Sequence, residues 1–117
     1  MRVSWQMRLR LEAGRQYGRL NRQYFAGELP RLPIVFRRKL VDGDSMGQVT
    51  FEGERPVSLD LSLECWRQSE NGSFLRATLI HEMMHVKLGH TSVDHPKEVW
   101  NAEAIRLSRL GAMVETI

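Results

Sequence analysis

The stretch from Phe74 to Leu88 is apolar on almost every side of a helical projection, and it constrains the chain more than any other. A helix without a polar face must be enclosed by the rest of the molecule. Asn71-Gly72-Ser73 breaks the chain before it, with Ser73 placed to act as an N-cap, and Gly89 is placed to close it. The chain has 117 residues, enough for one core of ordinary size around that helix, so a single domain over 1–117 is expected. Within this apolar background stand His81, Glu82 and His85. Burying three ionisable groups is costly unless something pairs them.

His81-Glu82-Met83-Met84-His85 puts two histidines four residues apart, on one helix face and near enough to share a Zn²⁺ ion. Glu82 then points to the other flank of the metal, where it can take a proton from water that the ion has acidified. As general base it would pass that proton to a leaving amine. With four His and ten Glu in the chain, a shuffled sequence carries this pattern in roughly one case in a hundred. Met83 and Met84 are read as core packing. A catalytic zinc site needs a third protein ligand and one open position. His95 is the first choice, separated from His85 by nine residues that include a helix break. His90 would point about 140° away from His85 on a continued helix. Glu98 or Glu103, on a later helix, could supply a carboxylate.

Around this centre the periodicities predict an α+β chain. Residues 3–25 form a helix with Trp5, Leu9, Ala13, Tyr17, Leu20 and Tyr24 inward. Ile34–Phe36, Gln48–Phe51 and Val57–Leu61 read as strands, and their short connections favour a small three-stranded antiparallel meander. Leu63 to Gln68 is a helical turn. A last helix covers roughly 97–110, with Val99, Trp100, Ala104, Leu107 and Leu110 inward. The three tryptophans are read as core or partner-facing.

Composition excludes several classes. Hydrophobic residues are 42% and charged residues 26%, a globular balance. The longest run free of Asp, Glu, Lys and Arg is Ser45–Phe51, far short of the ~20 apolar residues a membrane helix needs. Arginines at 2, 8 and 10 interrupt any signal-type apolar region, and the single Cys65 leaves no internal disulfide and no Cys-rich zinc ribbon, so a cytoplasmic protein is expected. The net charge of +3 hides a division. Residues 1–40 carry ten Lys and Arg against Glu12 and Glu28, whereas residues 41–117 carry seven against twelve Asp and Glu. Arg8, Arg15, Arg19 and Arg22 fall within an arc of about 60° on the first helix, and Arg37, Arg38 and Lys39 could extend the stripe. The stripe is read as a candidate DNA-contacting surface, salt-sensitive and weak in sequence preference; a solvated face is the plain alternative.

The sequence resembles the SprT-like zinc metallopeptidases, the family that includes the Spartan proteases. The similarity runs from about Leu20 to Val114. Leu20-Asn21-Arg22-Gln23-Tyr24-Phe25-Ala26-Gly27-Glu28-Leu29-Pro30 is similar to the family's helix-end segment, and Leu59-Asp60-Leu61-Ser62 to the strand before its motif helix. Leu79-Ile80-His81-Glu82-Met83-Met84-His85 matches the active-site helix, and Asp94-His95-Pro96 with Glu98 and Trp100 the third-ligand segment, without the Gly usual between that His and Pro. The resemblance implies a zincin-like α+β domain, and the single Cys65 sets the chain apart from relatives that carry an added zinc ribbon. It also implies zinc held by His81, His85 and His95, and hydrolysis of peptide bonds in protein substrates, possible targets including proteins crosslinked to DNA. His85-Val86-Lys87-Leu88-Gly89-His90 with Asn101-Ala102-Glu103-Ala104 is similar to the repressor-cleaving ImmA/IrrE-type metallopeptidases, whose third ligand is a Glu on a later helix. A non-enzymatic reading also stands, in which zinc stabilises a module that binds nucleic acid or protein.

Overall fold

The computed structural model describes residues 4–38, 40, 46–67, 73–89 and 97–114. His90, Ser45 and the segment containing His95 lie outside them. The elements are α1 (Trp5–Tyr24), β1 (Ile34–Arg37), β2 (Gly47–Glu52), β3 (Arg55–Ser62), the short α2 (Leu63–Arg67), α3 (Ser73–Leu88) and α4 (Lys97–Arg109), an α+β arrangement. Among the described residues no helix is long and apolar enough to cross a membrane.

Helix α1 starts where Ser4 Oγ accepts from the Met7 amide at 3.2 Å. An N-cap hydroxyl of this kind satisfies one of the amides a helix start leaves open. The helix buries Leu9, Ala13, Tyr17, Leu20 and Tyr24. It ends in a tight turn: Gly27, at φ +72°, donates back to the Asn21 carbonyl at 2.9 Å. Asn21 then clamps the returning chain. Its Nδ2 donates to the Leu29 carbonyl at 3.0 Å, and its Oδ1 accepts from the Leu29 amide at 3.1 Å. Tyr17 adds a second tie by donating its hydroxyl to the Pro30 carbonyl at 2.7 Å, and burial pushes that phenol up to about 12. Residues 27–33 thus form a strap fastened along α1.

The sheet is mixed, which corrects the expected antiparallel meander. Its order is β1-β3-β2, with β1 parallel and β2 antiparallel to β3. Arg37 pairs with Ser62 and Gly47 with Leu61, so the chain leaves β1 and enters β2 at the same end of β3. Only β2 and β3, joined at Gly53-Glu54, obey the rule that short connections make neighbours. The longer link from β1 can step past one strand, since neighbouring strands lie only about 4.8 Å apart. The central strand β3 is buried over its second half, from Leu59 to Ser62. Leu59 and Leu61 are fully buried, and Asp60 between them accepts from Thr50 Oγ1 at 3.0 Å and Ser58 Oγ at 3.2 Å.

Helix α3 packs against the core with Leu75, Leu79, Met83 and Met84 sealed from solvent beside Leu20, Cys65 and Leu107. Arg76, Ala77, His81 and Lys87 are exposed, so the helix is enclosed on most sides and not on all, as its apolar pattern implies. Three residues expected inward are exposed instead. Trp5 is 56% exposed. A 20-residue helix is about 30 Å long and overhangs the four-residue β1, so its first turn has nothing to cover it. Val99 and Leu110 are exposed because α4 buries only a narrow stripe, Trp100, Glu103, Ala104 and Leu107; Val99 sits about 100° from Trp100 on the helix.

That stripe contains a carboxylate. Glu103 accepts from Lys87 Nζ at 2.7 Å and from Arg106 Nε at 3.0 Å. Arg106 also donates to the Tyr24 carbonyl at 2.9 Å and lies over the Phe25 ring. One charge cluster therefore ties α4 to α3 and to the end of α1. Burial alone would raise the Glu103 carboxyl, but the hydrogen bonds and charges of Arg106 and Lys87 outweigh it and hold it below the ordinary range.

Candidate metal centre

The α-helical spacing of His81 and His85 brings their rings to a centroid separation of 5.0 Å, edge to face. Two imidazoles sharing one tetrahedral ion at Zn–N distances of about 2.0–2.1 Å have centroids roughly 5 Å apart, so the separation of the pair is of the size such an ion requires. His85 is buried and His81 reaches the surface, which sets the position at the rim of the core. Buried Trp100 braces both rings, with its centroid 5.0 Å from His81 and 4.6 Å from His85. An indole in that place restricts how either imidazole can turn.

Glu82 is buried, and its position is shaped from the sheet. A Cβ added at Gly47, the first residue of β2, would stand 2.9 Å from Glu82 Cγ, 3.2 Å from Oε2 and 3.1 Å from Thr78 Cγ2. Only glycine lets the strand approach this closely. A cleft of about 290 Å³ opens there, lined by Met46, Gly47, Ala77, Thr78, His81 and Glu82. A second cavity of about 550 Å³ flanks His81 on the side of Ser108, Ala112 and Val114. Beneath the site, burial pushes the Cys65 thiol up; a hydrogen bond with Thr78 opposes this and the Glu82 charge adds to it. The chain's one thiol is buried there.

The described residues supply two imidazoles and no third donor: among them, no group of three or more His, Cys, Asp or Glu side chains could hold a metal ion. Glu103, offered above as a carboxylate ligand, is occupied by Lys87 and Arg106. Glu98 lies exposed in the first turn of α4. His95 and His90 fall outside the described residues.

Arg8, Arg15, Arg19 and Arg22 are all exposed on α1, away from its buried face. Arg15 and Arg22 come together beside the strap, but Arg8 and Arg19 do not join them. Arg37 lies 3.9 Å from Asp60, and Arg38 is exposed just after β1. Two residues of the centre escaped the sequence reading, Trp100 as a brace and Gly47 as a spacer. A glycine opening a strand is the one local signal that could have pointed to a close approach. Comparison with protein-family models, with curated proteins and with solved structures finds no match to this chain.

Proposed function

We propose that this chain is a zinc-dependent metallopeptidase of the zincin-like, SprT-like kind. The observation that carries the reading is the His81–His85 pair at 5.0 Å, with Glu82 buried beside it and Gly47 leaving it room. His81 and His85 would hold the ion, with His95 as the third ligand; the engagement of Glu103 with two cations weighs against the carboxylate alternative and so against the ImmA/IrrE-type reading. Bound there, zinc supplies Lewis-acid chemistry, polarising a scissile carbonyl and lowering the pKa of water to about 7. The remaining steps belong to side chains of this protein. The Glu82 carboxylate takes the proton of the attacking water and returns it to the leaving amine. Trp100 keeps the imidazoles in register, and Gly47 keeps Glu82 at its post.

Substrate would enter along β2. That strand is an edge of the sheet among the described residues, and its first residue touches Glu82. A peptide added there forms main-chain hydrogen bonds that carry its scissile bond past the carboxylate. Protein substrates are the class implied, and the exposed arginines of α1 make DNA-bound proteins in a cytoplasmic setting the first to assay.

Glu82→Ala tests the assignment. The variant should retain one zinc per chain, measured by elemental analysis after dialysis, and lose about 10²–10⁴-fold in cleavage rate. A wild-type chain without stoichiometric zinc would overturn the metal centre. Stoichiometric zinc with cleavage unaffected in the variant would remove Glu82 from its role. Zinc without any cleavage by the wild-type chain would leave a metal-stabilised binding module.

A further inference from the structure

We infer that the groove between α1 and the 27–33 strap binds the phosphate backbone of a nucleic acid strand. The inference extends the DNA-associated part of the proposed function and is independent of the metal centre. The groove measures about 820 Å³. Gly14 and Gly18 line it on the α1 side, together with Arg10, Arg15 and Arg22, and Arg31 lines it from the strap. Its far wall is the strap, held in place by Asn21 and Tyr17.

The two glycines have no structural justification within α1. A glycine in a helix interior costs about 0.5–1 kcal/mol relative to alanine. Neither has the positive φ found at Gly27, Gly53, Gly89 and Gly111. A Cβ at Gly14 would meet nothing within 4 Å, and one at Gly18 would meet only the mobile end of Arg22, Nη1 at 3.5 Å. Folding would accept alanine at both. What glycine provides is depth, so that a ligand can lie against the helix backbone.

The charges identify the ligand's chemistry. Among the described residues Arg15 meets Glu12 at 3.5 Å, an exposed pair of little energetic weight, and no described ion pair engages Arg10, Arg22 or Arg31. Four guanidinium groups around one groove repel each other unless an anion enters. Guanidinium forks match phosphate oxygens two at a time. Arg15 and Arg22, seven residues apart, are separated by about 10 Å along the helix, which asks for a ligand with repeated charges rather than a single ion. The surplus of +8 over residues 1–40 extends that field beyond the groove and favours a long polyanion. The groove holds no aromatic side chain free for base stacking, since the Tyr17 hydroxyl is tied to Pro30, so recognition follows the backbone with little sequence preference.

Fluorescence anisotropy with a labelled single-stranded oligonucleotide tests this without any cleavage readout. The Gly14→Ala, Gly18→Ala double variant should melt higher than wild type yet bind at least about tenfold more weakly, a combination no folding defect produces. Arg10→Gln with Arg31→Gln should lower the slope of log affinity against log salt by about 1.4, the value for two lost phosphate contacts on a single strand. Arg55→Gln, at an exposed arginine paired with Glu52 elsewhere, should change neither. Wild-type affinity in the glycine variant, an unchanged salt slope in the arginine variant, or equal competition by a polyglutamate peptide of matched charge would each overturn the proposal. Zinc content is unaffected by these substitutions, so failure here and failure of the metal centre are separately visible.

Discussion

A methyl group at Gly47 would press on Glu82 Cγ at 2.9 Å, whereas one at Gly14 would meet nothing within 4 Å. The two glycines lack a side chain for different physical reasons. At Gly47 the packing of strand on helix demands it, and the carboxylate of the candidate centre is what lies on the other side. At Gly14 the fold makes no such demand, and the helix is weaker for it. Where β2 meets α3 at Gly47 the packing is tight enough that a methyl group would disturb it. The α1 face is open, and its departures from good helix sequence leave room for a partner.

Gly47→Ala should break the fitted face most severely. Displacing a catalytic carboxylate by about 1 Å can cost about 10²-fold in rate. We expect a loss of that order in peptide cleavage with zinc content retained, together with a drop of about 1–3 kcal/mol in stability from overpacking. Denaturant unfolding beside a cleavage assay checks both.

Glu103→Gln comes next. It removes the charge that Lys87 and Arg106 share, and should destabilise the chain by about 1–3 kcal/mol, moderated because both cations are partly solvated. The pH dependence has a definite sign. The folded carboxyl titrates below its ordinary value of 4.5, so its contribution is complete above that value and fades as pH falls through the folded one. Thermal midpoints of wild type and variant should therefore differ at neutral pH and converge in acid. A constant gap would remove the ion-pair explanation.

The smallest expected effect has the opposite sign. Gly14→Ala alone should stabilise by about 0.5–1 kcal/mol, read from the urea midpoint. Destabilisation there would mean that the α1 face is fitted after all, and the contrast between the two glycines would disappear.

Much of the architecture was readable because it rests on local rules. The ends of α1 and α3 follow from Gly27 and Gly89 acting as stops and from the apolar spacing before them, whereas the Ser4 cap of α1 shows only in the structure. The strand order was not readable. Nothing within Val57–Leu61 says that it will lie between the other two strands, because that choice is made by the helices that cover it. Trp5, Val99 and Leu110 are exposed for a related reason: spacing identifies a face, but the length of the partner decides how much of that face is covered.

The His81–His85 pairing is set by helix geometry alone, since four residues along an α-helix return to the same side wherever the helix is placed. The same geometry puts arginines on the far side of α1 from its buried residues. Tertiary packing decided the rest. It brought Gly47 to Glu82 from a distant strand, set Trp100 against both imidazoles, and placed Glu103 between Lys87 and Arg106. It also gathered Arg10 and Arg31, which share no helical spacing, along one groove with Arg15 and Arg22. Contacts of that kind depend on where separate elements come to rest against a common core, and no window of sequence contains both partners.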